Sequence, residues 1–211
     1  MQFKTVFIDL DDTIYSPSTG LWQMIKERIE LYMQDRMGLD PEEIPSIRKE
    51  LFTKYGTTMW GLKKTYGIDI QDYLRYVHDV PVEKLLEPDG SLLQVLRSIK
   101  LDKYIFTNAD SLHATRILKT LGVLECFNGI IDILDLSPHC KPQQVAFEIA
   151  IRTAGIAYPQ QGILVDDSLA NTAMAKKLGM KSIFVGENGD SAEYDCKIIR
   201  IHDIGMAILD L

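Results

Sequence analysis

The chain is short of cysteine, of net positive charge and of long apolar runs, and each shortage closes off a class of protein. Its three cysteines, Cys126, Cys140 and Cys196, are odd in number and form no C-x-x-C pair. Neither a disulfide framework nor a structural zinc site is indicated, and a reducing cytoplasm is the expected setting. No apolar stretch approaches the roughly 20 residues that span a bilayer, so no membrane partner is expected. The opening MQFKTVFIDLDD ends its short apolar run in carboxylates, not in the small-residue cleavage site of a secretory signal, so export is not expected either. With 23 Lys and Arg against 30 Asp and Glu, the formal net charge is -7. A nucleic acid polymer or an anionic membrane needs concentrated basic residues, so neither is expected, and any anionic substrate must be neutralised locally.

What is present is a set of short apolar, β-rich runs separated by helical patterns. Residues 3–8 (FKTVFI), 102–107 (DKYIFT), 161–165 (QGILV) and 181–185 (KSIFV) read as buried strands. Between the first and second, Trp22, Ile25, Ile29 and Tyr32 or Met33 recur at helical spacing, as do Ile44, Ile47, Leu51 and Tyr55. Two further helices are expected among breakers Gly56, Gly67 and Pro81. Strands alternating with helices imply an α/β fold with a parallel sheet. Residues 16–85 are expected to form an all-helical insertion, with 1–15 and 86–211 forming the core. The 211 residues accommodate both.

Acidic residues follow two of these strands. In FIDLDDTIY, residues two apart share a side of a strand, so Asp9 and Asp11 can face one site while Leu10 enters the packing. The same acids would also serve as a simple strand end, with Asp12 or Thr13 capping a turn. In GILVDDSLAN, Asp166 and Asp167 suit magnesium, which prefers oxygen ligands, or else cap the helix that Ser168 begins. Thr107 ends YIFTNAD, where a hydroxyl and the following backbone N–H groups suit phosphate oxygens or an ordinary turn. Lys141 precedes Pro142, a residue favoured at the first position of a helix, which would set the lysine near a positive helix end.

In order, Asp9-x-Asp11-x-Thr13, Thr107, Lys141 and Asp166-Asp167 resemble the four motifs of the haloacid dehalogenase superfamily. The resemblance spans nearly the whole chain and implies a Rossmann-like parallel sheet flanked by helices, with the helical insertion after the first strand as a cap domain. It implies that Asp9 attacks phosphorus to give an aspartyl-phosphate, while Asp11 acts as acid and then base. Magnesium would be held by Asp9, the Asp11 carbonyl, Asp166 and Asp167, and the phosphoryl oxygens by Thr107, Lys141 and the Asn108 N–H. An acid at position 11 favours a phosphatase over a dehalogenase, whose leaving halide needs no proton.

The stretches DLDDTIY, KYGTTMWGLKKTYGID with DYLRYVHDV, and TNADSLHATRILKTLGV are similar to the pyrimidine 5′-nucleotidase branch. This implies a nucleoside monophosphate such as UMP or CMP as substrate. Among the insertion's aromatic residues, Trp60, beside Thr58 and Gly61 at an expected turn, is the candidate substrate contact. His113 is expected either near the site or on a helix face. Sugar phosphates or phosphoglycolate, handled by a phosphatase or phosphomutase, are the alternative substrates. A non-catalytic binding or regulatory module is the alternative of another class.

Overall fold

The apolar runs become strands covered on both faces. In the computed structural model, which describes residues 2–187, 189 and 191–211, the chain opens with strand β1 (Thr5–Ile8). Five helices follow: α1 (Leu21–Asp35), α2 (Ile44–Tyr55), α3 (Thr58–Tyr66), α4 (Ile70–Val77) and α5 (Val82–Leu85). Next come α6 (Gly90–Ser98), β2 (Asp102–Phe106), α7 (Ser111–Leu121), β3 (Gly129–Ile131) and α8 (Gln144–Thr153). The chain continues through β4 (Gly162–Asp166), α9 (Leu169–Lys177), β5 (Lys181–Val185), β6 (Cys196–Ile198) and α10 (Ile204–Leu209). It divides into two units, Met1–Ser18 with Leu86–Leu211, and Thr19–Leu85.

The first unit is an α/β fold around a six-stranded sheet in the order β3-β2-β1-β4-β5-β6, with every pairing parallel. All of β1 and β4 is buried, which is why these strands read as continuous apolar runs instead of alternating ones. Phe7 meets Phe106, and Phe106 meets Phe147 edge-on with centroids 5.3 Å apart, in the core that α8 covers. The strand order reverses at β1, with β2 on one side and β4 on the other, and such a reversal opens a crevice beyond the carboxyl ends of the strands. Ile8 lies opposite both Ile105 and Val165. The chain therefore leaves β1, β2 and β4 at one level, bringing Asp9, Thr107 and Asp166 to the same edge.

Two features differ from the sequence expectation. Strands β3 and β6 are three residues each and occupy the two edges of the sheet. Runs this short carry no readable periodicity, and pairing along the backbones of β2 and β5 decides their conformation. Pro142 is not the first residue of a helix: α8 begins at Gln144, after a turn in which the Gln143 N–H donates to the Cys140 carbonyl at 2.9 Å. A local turn carries Lys141, and the Lys141–Pro142 peptide within it is cis.

The second unit is all helical. Its α2 and α3 end at Gly56 and Gly67, both in the left-handed conformation that costs glycine least. Thr57 caps α3 by accepting the Trp60 N–H at 3.2 Å, and Asp69 caps α4 by accepting the Asp72 N–H at 2.8 Å. Ile25, Ile29, Tyr32 and Met33 form the buried stripe of α1, with Leu21 buried ahead of them and Trp22 only partly so. Tyr32 meets Tyr73 and Tyr76 edge-on at 5.0 and 5.4 Å, so these two aromatics are packing residues of the unit.

Gly61 marks a close approach of α3 to α2, since a Cβ built there would lie 2.5 Å from Leu51 Cβ. Gly61→Ala is expected to destabilise this unit by about 1–3 kcal/mol through overpacking. Urea unfolding measures this, and an unchanged midpoint would contradict the tight approach. No helix among the described residues is long and apolar enough to cross a membrane.

Candidate active site

Three carboxyl groups and one ammonium meet at the carboxyl edge of the sheet. Lys141 Nζ donates to Asp9 Oδ1 at 2.6 Å and to Asp166 Oδ2 at 2.7 Å, in surroundings that leave the lysine 2 % exposed. The ammonium also lies 5.1 Å from the centre of the Phe106 ring. Asp166 is held further by Asn171, whose Nδ2 donates to both carboxylate oxygens at 2.9 and 3.0 Å, and by the Ser168 N–H at 2.9 Å. Oxygens of Asp9, Asp166 and Asp167 lie within 4.8 Å of one another.

The local chain explains this convergence. After β1, the N–H groups of Thr13 and Ile14 donate to the Leu10 carbonyl, folding residues 10–14 into a tight turn. Asp12 takes φ 58 within it, a left-handed conformation that aspartate tolerates better than most residues. The turn sets the Thr13 hydroxyl 3.3 Å from Asp9 Oδ2 and 3.4 Å from Asp167 Oδ1, and it accepts the Asp167 N–H at 3.1 Å. Thr13 thus ties the loop after β1 to the loop after β4.

Crowding shifts the titrations. Burial, opposed by Lys141 and reinforced by Asp166 and Asp167, holds Asp9 well above the usual carboxylate range. Burial and the Asp166 charge push Asp167 up to about 7. For Lys141, burial alone would lower the value, but the charges of Asp166 and Asp9 outweigh it and the net shift is upward. The lysine therefore stays an ammonium, and Asp9 and Asp167 carry the adjustable charge.

Thr107 is buried just past β2, where its N–H donates to the Ile131 carbonyl at 3.0 Å and its Oγ1 accepts the Ala109 N–H at 3.0 Å. Asn108 binds the Lys141 backbone on both sides: Nδ2 donates to the Lys141 carbonyl at 3.1 Å, and Oδ1 accepts the Lys141 N–H at 2.9 Å. That side-chain clamp, with the turn before α8, fixes the lysine where a helix end had been expected to do so.

Asp11 sits at the other end of the turn. Its Oδ1 accepts the Tyr15 hydroxyl at 2.7 Å and lies 3.3 Å from His113 Nε2. Burial, then the Asp11 charge, raises the Tyr15 phenol far above its ordinary value, so the hydroxyl is a donor. Of the two places expected for His113, it occupies the one beside the site. Trp60 lies in the other unit, in the first turn of α3, buried at 5 % exposure.

From the sequence, Thr13 is expected only as a motif residue or a turn cap, and Asn171, Tyr15 and the side-chain amide of Asn108 draw no role. Only spacing signalled them, since Tyr15 follows Asp11 by four residues and Asn171 follows Asp166 by five. A polar residue one turn beyond a strand-end acid is the pattern that would have found both.

Known proteins place these residues in context. The chain is 28 % identical over 191 residues to phosphate metabolism protein 8 of Saccharomyces cerevisiae, covering 84 % of this chain and 60 % of that protein. It therefore spans about three fifths of that relative's length. It is 24 % identical over 207 residues to the glyceraldehyde 3-phosphate phosphatase of Methanothermobacter thermautotrophicus, covering 91 % and 89 % of the two chains. The HAD-hydrolase YfnB of Bacillus subtilis, solved bound to magnesium, superposes with a TM-score of 0.67 at 18 % identity over the whole of both chains, a likeness of fold. The model of the hydrolase family described as haloacid dehalogenase-like matches residues 3–179. That span runs from β1 past Asp166, Asp167 and Asn171, and the chain belongs to the haloacid dehalogenase-like hydrolase family.

Proposed function

We propose that the protein is a magnesium-dependent phosphomonoester hydrolase working through an aspartyl-phosphate at Asp9. The bridge of Lys141 Nζ to Asp9 at 2.6 Å and to Asp166 at 2.7 Å carries this reading. A carboxylate that must approach a phosphate anion needs positive charge held beside it, and a buried ammonium supplies that without reorganising. Asp9 forms the new bond to phosphorus as the ester P–O bond breaks, and Asp11 passes a proton to the departing oxygen. Asp11 then takes a proton from the water that attacks the aspartyl-phosphate, which frees phosphate and restores Asp9. Thr107, whose oxygen already accepts from Ala109, has its proton available for a phosphoryl oxygen, beside Lys141 and the Asn108 N–H.

The donor set suits magnesium. The cluster offers only carboxylate oxygens within 4.8 Å, and it sets three acidic groups against one ammonium, so a hard divalent cation fits both its chemistry and its charge. Asp9, Asp166, Asp167 and the Asp11 backbone carbonyl would hold the ion, which when bound offsets the repulsion between nucleophile and phosphate. Asp166 is oriented for this by Asn171, and Asp167 by its backbone bond to Thr13.

The substrate is read as a small phosphorylated metabolite, narrowed to a pyrimidine nucleoside 5′-monophosphate by the longer sequence resemblances. The helical unit Thr19–Leu85 is read as the cap that selects it. Trp60 is the proposed contact there, since its buried indole N–H finds no acceptor among the described residues and a base carbonyl would supply one. The methanogen relative, a glyceraldehyde 3-phosphate phosphatase by name, favours a second reading with sugar phosphates as substrates.

A panel of phosphate esters tests both. With magnesium, UMP or CMP is expected to exceed sugar phosphates and phosphoglycolate about tenfold or more in kcat/KM, and chelation should abolish turnover. A preference for the sugar phosphates would install the second reading. No turnover on any ester with magnesium bound would return the chain to a binding module.

A further inference from the structure

We propose that Tyr15 and His113 are positioning residues for Asp11, jointly fixing its Oδ1 so that Oδ2 carries the proton delivered to the leaving oxygen. The inference rests on the reading of Asp11 as the acid. It adds two residues for which neither the family motifs nor the metal cluster accounts.

The geometry is convergent. The Tyr15 hydroxyl reaches Oδ1 at 2.7 Å from the chain that follows β1, and His113 Nε2 lies 3.3 Å from the same oxygen on α7. Both side chains are buried, Tyr15 at 6 % and His113 at 2 % exposure. The histidine's backbone is held firmly. Asp110 Oδ1 accepts the His113 N–H at 2.8 Å, and Asp132 Oδ2 accepts the Ser111 N–H at 2.8 Å. Asp132 is itself fixed by the N–H groups of Leu134 and Asp135 at 2.9 Å each. Two elements, one from each side of β2 in the chain, therefore direct polar groups at one carboxyl oxygen.

A carboxyl group on a two-carbon side chain rotates, and a general acid helps only while its proton faces the reacting oxygen at hydrogen-bond distance. The Tyr15 O–H donates to Oδ1, and His113 adds a second donor there when its proton is on Nε2, which makes Oδ1 the accepting end of the group. The proton then belongs on Oδ2. As the bond from Asp9 to phosphorus forms and the ester P–O bond breaks, the Oδ2–H bond breaks and the leaving oxygen gains that proton.

The test separates positioning from mere stability by varying the leaving group. A 2,4-dinitrophenolate departs without a proton, a phenolate needs one more, and an alkoxide needs one most. Because kcat/KM reports the steps through phosphoryl transfer, it isolates the acid's contribution from the later attack of water. Tyr15→Phe and His113→Leu are expected to lose about 10- to 30-fold in kcat/KM on phenyl phosphate and alkyl phosphates, against less than about threefold on 2,4-dinitrophenyl phosphate. His113→Gln, which restores an amide donor near the Nε2 position, should recover most of the loss.

Equal losses across the series, or none, overturn the proposal. Tyr15→Phe removes a single oxygen and decides the matter if His113→Leu fails to fold. Asp11→Asn is measured alongside and should give the steepest dependence on leaving group. If it gives none, the acid role of Asp11 fails and the positioning role falls with it. If it is steep while Tyr15→Phe is flat, only the positioning role falls.

Discussion

Asp9→Asn is expected to lower kcat by about 10⁴-fold or more while the protein stays folded. The amide has the shape of the carboxylate but no anionic oxygen to form a bond to phosphorus, so the covalent route closes. Folding should survive because the charge of Asp9 is itself a burden on the native state. Burial and the neighbouring Asp166 and Asp167 carboxylates hold its titration well up, despite the Lys141 ammonium at 2.6 Å. Removing a charge from that crowd relieves repulsion, and Lys141 keeps its bond to Asp166 at 2.7 Å. Steady-state turnover and a thermal melt together measure this, with a melting temperature equal to or above that of the unaltered protein. Retained turnover would remove Asp9 as nucleophile.

Lys141→Met acts in the opposite way on stability. Turnover should fall by about 10²- to 10³-fold, the usual cost of losing one fixed group that meets developing charge. Stability at neutral pH should fall by about 3–5 kcal/mol, because removing one partner leaves buried carboxylates without their counter-ion. The sign with pH is fixed by the shifts. Lys141 titrates above its ordinary value in the folded protein, so its contribution is complete at neutral pH and is lost only as pH rises through that raised value. In the variant, Asp9 and Asp167, both raised by burial, take up protons as pH falls, and the difference from the unaltered protein should shrink. Urea midpoints at pH 7.5 and pH 5 measure this, and a difference that grows toward acid would contradict the assignment.

The parts of the fold that were legible are those where a single segment carries its own signal. β1 and β4 are buried on both faces, so continuous apolar runs announced them, and the acids at their ends stood out by contrast. β3 and β6 have three residues each and take their conformation from the strands beside them, which a linear reading cannot weigh. The site divides along the same line. Asp9, Asp11, Thr107, Lys141 and Asp166 lie in short motifs, but several of the groups that hold them lie far away in sequence.

Asn108 grips the Lys141 backbone across 33 residues, and Thr13 links to Asp167 across 154. Tyr15 is near Asp11 in the chain, yet an aromatic after a strand reads as core. Its hydroxyl reaches the carboxylate only because the turn through Asp12 folds the chain back. Lys141 lies beside Asp9 and Asp166 for a local reason other than the one its neighbour suggested. Pro142 suggested a helix start, whereas a turn and the Asn108 amide hold the lysine in place.

Rapid acid quenching during turnover of a labelled phosphomonoester, followed by peptide mapping, addresses the covalent step itself. With labelled 2,4-dinitrophenyl phosphate, whose leaving group needs no proton, Asp11→Asn should still form the intermediate and, lacking the proposed base for the water step, accumulate it. The label is expected on the peptide that contains Asp9, as a base-labile acyl phosphate, and should be missing in Asp9→Asn. Phosphate released with no label at Asp9 in any variant, or label on another residue, would contradict nucleophilic catalysis at this site.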